Sequence, residues 1–303
     1  MSELFKLLKS GLDATIRDGN PWWRGEKIYN LPTMKRWAFE PVLSNLKNGL
    51  TPAVVLKGPR CVGKSVLLEQ AVDELLKTGV KPHRIFRVQF DDLPDLMKLD
   101  TPILDLCRWY SENILKKTFN QAASDGELAY IFLDEVQNLP DWGPQLKQLV
   151  DINPVKVLVT GSSALRLEAG ADSLAGRICP IEMGPMLLRE IADLRGFGKI
   201  APLLPFNGPG PLKEKRLWQE LRQFGIANVV LRRNAFSAFS ERGSYPIAQA
   251  EPSKPWPTIA DYLNESIIRR VIKHDLRMGE KGRKRDEHLL EEVFRLACRY
   301  AGQ

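Results

Sequence analysis

The sequence predicts an α/β fold, a parallel sheet of about five strands flanked by helices and followed by a smaller helical domain. Three observations carry that prediction. Between residues 51 and 195, short apolar runs alternate with helix-patterned stretches, the signature of strands covered on both faces. An octapeptide with glycine at both critical positions, Gly58–Ser65, stands between the first apolar run and the first long helical stretch. A later apolar run, Tyr130–Leu133, ends in the acidic pair Asp134-Glu135.

Taken in order, Leu4, Phe5, Leu7, Leu8, Leu12 and Ile16 form a helical apolar stripe broken at Gly19, Asn20 and Pro21. Thr33 is the expected cap of a second helix running to about Lys47, with a break or kink at Pro41. Ala53–Leu56 reads as the first buried strand, and a helix follows from Lys64 to about Lys77, with Gly79 at its C-cap. His83–Phe90 is the second strand, and Asp100-Thr101-Pro102 opens a helix carrying Ile103, Leu106, Cys107, Tyr110 and Ile114. Tyr130–Leu133, Val155–Val159 and Ile178–Ile181 are the remaining strands, with a short helix at Pro140–Val150. The segment Gly196–Pro211 holds four Gly and four Pro and reads as a boundary. Helices are expected near Leu212–Arg222, Asn228–Phe239, Thr258–Lys273 and Asp286–Tyr300, with a turn at Gly243–Pro246. The expected organisation is an N-terminal helical segment over 1–50, a core over 51–195 and a mostly helical, lid-like or accessory domain over 196–303.

Gly58-Pro59-Arg60-Cys61-Val62-Gly63-Lys64-Ser65 satisfies GxxxxGK[ST] at every fixed position, the Walker A pattern of a phosphate-binding P-loop. Backbone N–H groups must wrap a phosphate, so side chains must be absent where the loop is tight. The next helix aims its positive end at the same anion. Lys64 supplies charge to the β and γ phosphates, and the Ser65 hydroxyl is a Mg²⁺ ligand. A chance match in a chain of this length is roughly one in a hundred, and the strand before and helix after are the context the chemistry requires.

Asp134 and Glu135 are the matching Walker B pair. Asp134 is the second expected Mg²⁺ ligand, and Glu135 the general base that polarises the attacking water. Two carboxylates ending a buried strand are costly unless a cation or hydrogen bonds compensate them. The acidic doublet favours a hydrolysing enzyme over a small-molecule kinase. Val157–Ser163 is another strand ending in small polar residues, which makes Ser162 and Ser163 candidates for positioning water; the alternative is a plain turn. Arg177 in Ser173–Arg177 is a candidate to stabilise transition-state charge, in cis or across a subunit interface; the alternative is a surface arginine.

Composition sets the outer limits. Of 303 residues, 44% are apolar and 27% charged, as in ordinary globular proteins. No run of about 18 apolar residues occurs and the start lacks a signal-peptide pattern, so the expected location is cytoplasmic. The four cysteines are scattered, which fits a reducing compartment and argues against structural zinc. Cys61, inside the phosphate loop, is a candidate for alkylation sensitivity or for simple space filling. Of the net charge of +7, Arg269–Arg285 carries +6. Lys281, Arg283, Lys284 and Arg285 are therefore candidates for DNA or RNA phosphate contact, against the alternative of a solvated loop; the absence of interleaved aromatics argues against stacking on single strands. Trp22 and Trp23, with Arg24, are candidates for stacking on adenine or for packing a helix onto the core.

Several stretches together resemble a known group. NPWWRG (Asn20–Gly25), KGPRCVGKS (Lys57–Ser65), FLDEVQNLPDW (Phe132–Trp142), VTGSSALRL (Val159–Leu167), SLAGR (Ser173–Arg177), ERGSYP (Glu241–Pro246) and IIRRVIKHDL (Ile267–Leu276) make the chain similar to the archaeal and bacterial AAA-type P-loop ATPases of the archaeal-ATPase, STAND-related clade. That group is often fused to a C-terminal domain of unknown function. The resemblance implies an additional-strand, catalytic-glutamate fold with sheet order 5-1-4-3-2, and a nucleotide role for Arg177. Members commonly continue past the helix matching Asp286–Tyr300 into a winged-helix segment and a further domain, whereas this chain stops at Gln303, as a short member or a truncated one. The Gly/Pro-rich spacing at 196–211 also departs from the group. The function expected is Mg-ATP hydrolysis coupled to conformational change, with DNA or a partner protein as the object and homo-oligomerisation an open possibility. The alternative is a slowly hydrolysing, nucleotide-dependent switch or scaffold.

Overall fold

In the computed structural model, residues 11–93, 96, 99–162, 174–202, 211–272 and 286–300 are described. The chain divides into two compact units, Met1–Gly184 and Pro185–Gln303.

Among the described residues the first unit opens with helix α1 (Asp13–Asp18), then α2 (Phe39–Asn48) leads into strand β1 (Ala53–Lys57). Helix α3 (Lys64–Lys77) and strand β2 (Ile85–Gln89) follow, then α4 (Pro102–Tyr110), α5 (Phe119–Ser124), β3 (Ala129–Asp134), α6 (Trp142–Ile152), β4 (Val155–Gly161) and β5 (Ile178–Glu182). All ladders are parallel, and the order across the sheet is β5-β1-β4-β3-β2, the order the resemblance implies.

Buried residues alternate between the two faces, as a pleated strand requires. Val55, Val88, Ile131, Leu133, Val157 and Val159 join α4 and α6 through Ile103, Leu106, Tyr110, Leu146 and Leu149. Leu56, Phe132 and Leu158 are equally buried on the other face, with Leu46 of α2 and Leu67, Leu68, Ala71 and Leu75 of α3. Covering on both sides explains why these strands read as continuous apolar runs.

Two local expectations need correction. Helix α2 starts at Phe39, not at a Thr33 cap, and Pro41 lies in its first turn. An N–H missing there belongs to a group with no intrahelical partner anyway, so Pro41 begins a helix and does not kink one. The apolar stripe through Leu8 lies outside the described residues, of which Leu12 and Ile16 are buried in the core. Helix α5, unexpected from the pattern, is capped by Thr118 and Gln121 in a reciprocal capping box.

The second unit contains α7 (Leu188–Leu194), α8 (Lys215–Ala227), α9 (Val229–Arg242), α10 (Pro246–Ala250), α11 (Trp256–Leu263) and α12 (Glu287–Tyr300). Arg242 and Gln249 clamp the ERGSYP stretch: Arg242 donates to the Lys254 carbonyl at 3.0 Å, and Gln249 to those of Ala238 at 3.0 Å and Gly243 at 2.6 Å. Among the described residues no helix is long and apolar enough to cross a membrane.

Candidate nucleotide site

The parallel register brings three chain segments to one end of the sheet. Lys57 pairs with Gly161, and Leu133 pairs with Val159, so Asp134 falls level with Thr160. The phosphate loop leaves β1 at this same end. Gly58 is obligatory: a Cβ there would lie 2.0 Å from the Met183 carbonyl oxygen. Gly63, at φ +96°, is left-handed and starts α3 without any side-chain cap. The first N–H groups of α3 are thus left for an anion. Cys61 also has positive φ, at 60°.

Lys64 is buried, yet its ammonium is held: it donates to the carbonyls of Gly58 at 3.1 Å and Pro59 at 2.9 Å, and lies 3.9 Å from Glu135 Oε1. Burial pushes its pKa below the ordinary lysine value, while Glu135 and Asp134 pull it back up. A buried cation resting on neutral carbonyls is poised to exchange them for phosphate oxygens.

Ser65 Oγ donates to Asp134 Oδ1 at 3.2 Å, and Thr160 Oγ1 donates to the same oxygen. The second oxygen, Asp134 Oδ2, is buried without a hydrogen-bond partner, 3.6 Å from Arg87 Nη2. The Asp134 carboxylate beside the Ser65 hydroxyl is a fitting donor set for Mg²⁺, which favours hard oxygen ligands. Arg87 also meets Glu69 at 3.2 Å, whose own carboxyl is raised by burial against the opposing pull of Arg87.

Glu135 occupies the left-handed region at φ 56°, a conformation costing roughly 1 kcal/mol for a non-glycine residue. Its N–H donates to Thr160 Oγ1 at 3.2 Å. Its Oε2 accepts from Ser162 Oγ at 3.0 Å and from Gln137 Nε2, and Gln137 Nε2 also donates to Ser162 Oγ at 3.0 Å.

The structure therefore brings Lys64, Ser65, Asp134, Glu135 and Ser162 together around the loop. Ser163 and the basic cluster Lys281–Arg285 lie outside the described residues. Arg177 is elsewhere. Its carbonyl accepts from the Ala53 N–H at the start of β1, about 13 Å of strand from the loop. Its guanidinium pairs with Asp151 at 2.5 and 3.0 Å, so the structure does not bring it to the loop of its own chain. Of the two readings offered for the tryptophans, their contacts are those of packing onto the core. Trp22 and Trp23 both donate to the Ile85 carbonyl, at 3.1 and 2.9 Å, and Trp23 stacks on Phe86 and Tyr110. Ile85 opens β2, at the end of the sheet remote from the loop.

Four site residues escaped the sequence reading. Thr160 sits one residue before the glycine where polar residues were sought. Gln137 is one of two amides in the turn Val136–Asn138, and nothing in the local sequence distinguishes it from Asn138. Arg87 shares a strand face with Gln89 in an otherwise apolar run, and a charge there was a usable signal. Buried Arg36 donates to the carbonyls of Val62 and, at 3.0 Å, Gly184; no local pattern marks it.

Residues 50–192 match a family model described as an AAA domain. An uncharacterized protein of Methanocaldococcus jannaschii is 31% identical over 165 residues, 54% of this chain and 32% of the relative. An uncharacterized protein of Haemophilus influenzae is 24% identical over 252 residues, 82% of this chain and 52% of the relative. The chain thus spans about a third and about half of these two relatives' lengths. The solved structure of C. elegans PCH-2 aligns with a TM-score of 0.35 at 15% identity, covering 77% of this chain and 67% of that one.

Proposed function

We propose that residues 50–192, which match an AAA domain, are a P-loop ATPase domain, and that the protein binds Mg-ATP at Gly58–Ser65 and hydrolyses it with Glu135 as general base. The observation that carries this reading is the placement of the Glu135 carboxylate, 3.9 Å from the Lys64 ammonium at the mouth of the loop. Backbone N–H groups of the loop and of the α3 start bind the phosphates, and Lys64 neutralises the β and γ oxygens. Ser65 and Asp134 would hold Mg²⁺, which when bound supplies charge neutralisation to the phosphates. Water attacks the γ-phosphorus as its proton passes to Glu135. The bond from that phosphorus to the β–γ bridging oxygen breaks, and ADP and inorganic phosphate leave.

The hydrolytic reading extends to coupling: turnover drives a conformational change that acts on a partner, with DNA the first to test because of the +6 charge of Arg269–Arg285. Arg177, paired on the surface with Asp151, enters the reaction only through a second copy of the chain. The test is steady-state phosphate release by the wild type and Glu135→Gln, with and without duplex DNA. Turnover falling about 100-fold or more in Glu135→Gln, with ATP affinity kept, is the expected result. Tight ATP retention with no turnover by the wild type in any condition would replace this reading with the nucleotide-dependent switch.

A further inference from the structure

Glu135 is held by more contacts than its chain position requires. The backbone is fixed in a left-handed conformation by Thr160. Both side-chain donors within reach, Ser162 Oγ and Gln137 Nε2, converge on one oxygen, Oε2. The other oxygen, Oε1, is the one facing Lys64. We propose that Gln137 is a positioning residue for hydrolysis, holding Glu135 Oε2 so that Oε1 alone is presented to the attacking water; this rests on the role of Glu135 given above.

Gln137 spends both of its amide hydrogens on this arrangement, one on Glu135 Oε2 and one on Ser162 Oγ. Ser162 in turn gives its only hydroxyl hydrogen to the same carboxylate oxygen. The two donors and the Glu135 carboxylate form a closed hydrogen-bonded set. The reverse amide orientation would set Gln137 Oε1 against the acceptor oxygen Glu135 Oε2, so the carboxylate decides which way the amide turns.

The arrangement also has a stability cost. Gln137 is 5% exposed, and its Oε1 is buried with no hydrogen-bond partner. A buried amide acceptor left unpaired is destabilising relative to an apolar side chain of the same size. The residue is therefore poorly explained as a contributor to packing and well explained as a holder of Glu135. Two donors on Oε2 leave Oε1 as the less encumbered site for a proton.

This separates stability from turnover, and Gln137→Met tests it. Methionine keeps the volume and removes both donors. The expected outcome is an unchanged or raised Tm, ATP affinity within about twofold of wild type, and kcat lowered about tenfold or more. Gln137→Glu, which keeps the shape but turns a donor into a second carboxylate, lowers kcat further and provides the same reading if the methionine variant does not fold. In the Ser162→Ala, Gln137→Met double variant the losses combine to less than their product, because both groups act on one oxygen. Glu135→Gln is measured in the same assay. Turnover lost in Glu135→Gln but retained in Gln137→Met overturns the positioning role alone. Turnover retained in Glu135→Gln, or absent from the wild type, overturns the base assignment and the positioning role with it. A kcat loss that tracks a falling Tm makes Gln137 structural and also overturns the proposal.

Discussion

The two ends of the parallel sheet carry equally conspicuous sequence motifs and do different things with them. At the carboxyl ends of β1, β3 and β4, Lys64, Ser65, Asp134, Thr160 and Glu135 lie within hydrogen-bond or ion-pair reach of one another. At the amino ends, Trp22 and Trp23 bind the first carbonyl of β2, while Arg177 joins the start of β1 and pairs with Asp151. In parallel sheets, ligands bind beyond the carboxyl ends of the strands, so the position of a motif along its strand says more about chemistry than its rarity. The NPWWRG and SLAGR stretches are distinctive of the group the chain resembles, yet within one copy neither reaches the phosphate loop.

Three substitutions sharpen or break that contrast. The largest effect belongs to the carboxyl end: Lys64→Ala should weaken ATP binding roughly 100-fold, the loss expected of charged hydrogen bonds to phosphate. Isothermal titration measures it, and an affinity unchanged within about threefold would remove the phosphate-loop assignment. At the other end, Asn20 is buried and bonds Arg87 twice, accepting from its N–H at 2.7 Å and donating to its carbonyl at 2.8 Å. Asn20→Ala should cost about 2 kcal/mol in urea unfolding with ATP affinity unaltered; a loss of affinity matching that of Lys64→Ala would erase the distinction between the ends. The smallest effect is Arg177→Ala. In dilute protein it should leave ATP affinity and thermal midpoint at wild-type values, as for a surface ion pair. Turnover that drops only at concentrations where copies associate would assign Arg177 to a neighbour's site. A drop that persists at every dilution would return it to its own.

How much of this was legible follows the same division. The phosphate loop, its helix and the Asp134-Glu135 pair were readable because their chemistry demands fixed spacing along the chain. Strand positions were readable because burial on both faces writes an unbroken apolar run. Thr160 and Gln137 were not, because their partners are brought in by strand register and by the turn after β3, neither of which has a local pattern. Pro41 misled for a related reason: the residue that breaks a helix interior is tolerated in the first turn, and only the start at Phe39 decides which applies. The place of Arg177 was not legible because its motif does not encode which end of β1 it joins.

The side chains bonded along β2 have one more consequence. Among the described residues β2 pairs with β3 alone and so has one open flank. At two of its residues the outward groups are answered by side chains: Asn20 serves both polar groups of Arg87, and two indoles share the carbonyl of Ile85. A single asparagine thereby impersonates a neighbouring strand. An unguarded flank is a template for recruiting another chain, into fibrils or into a shared sheet. At those two positions this flank offers little to recruit with.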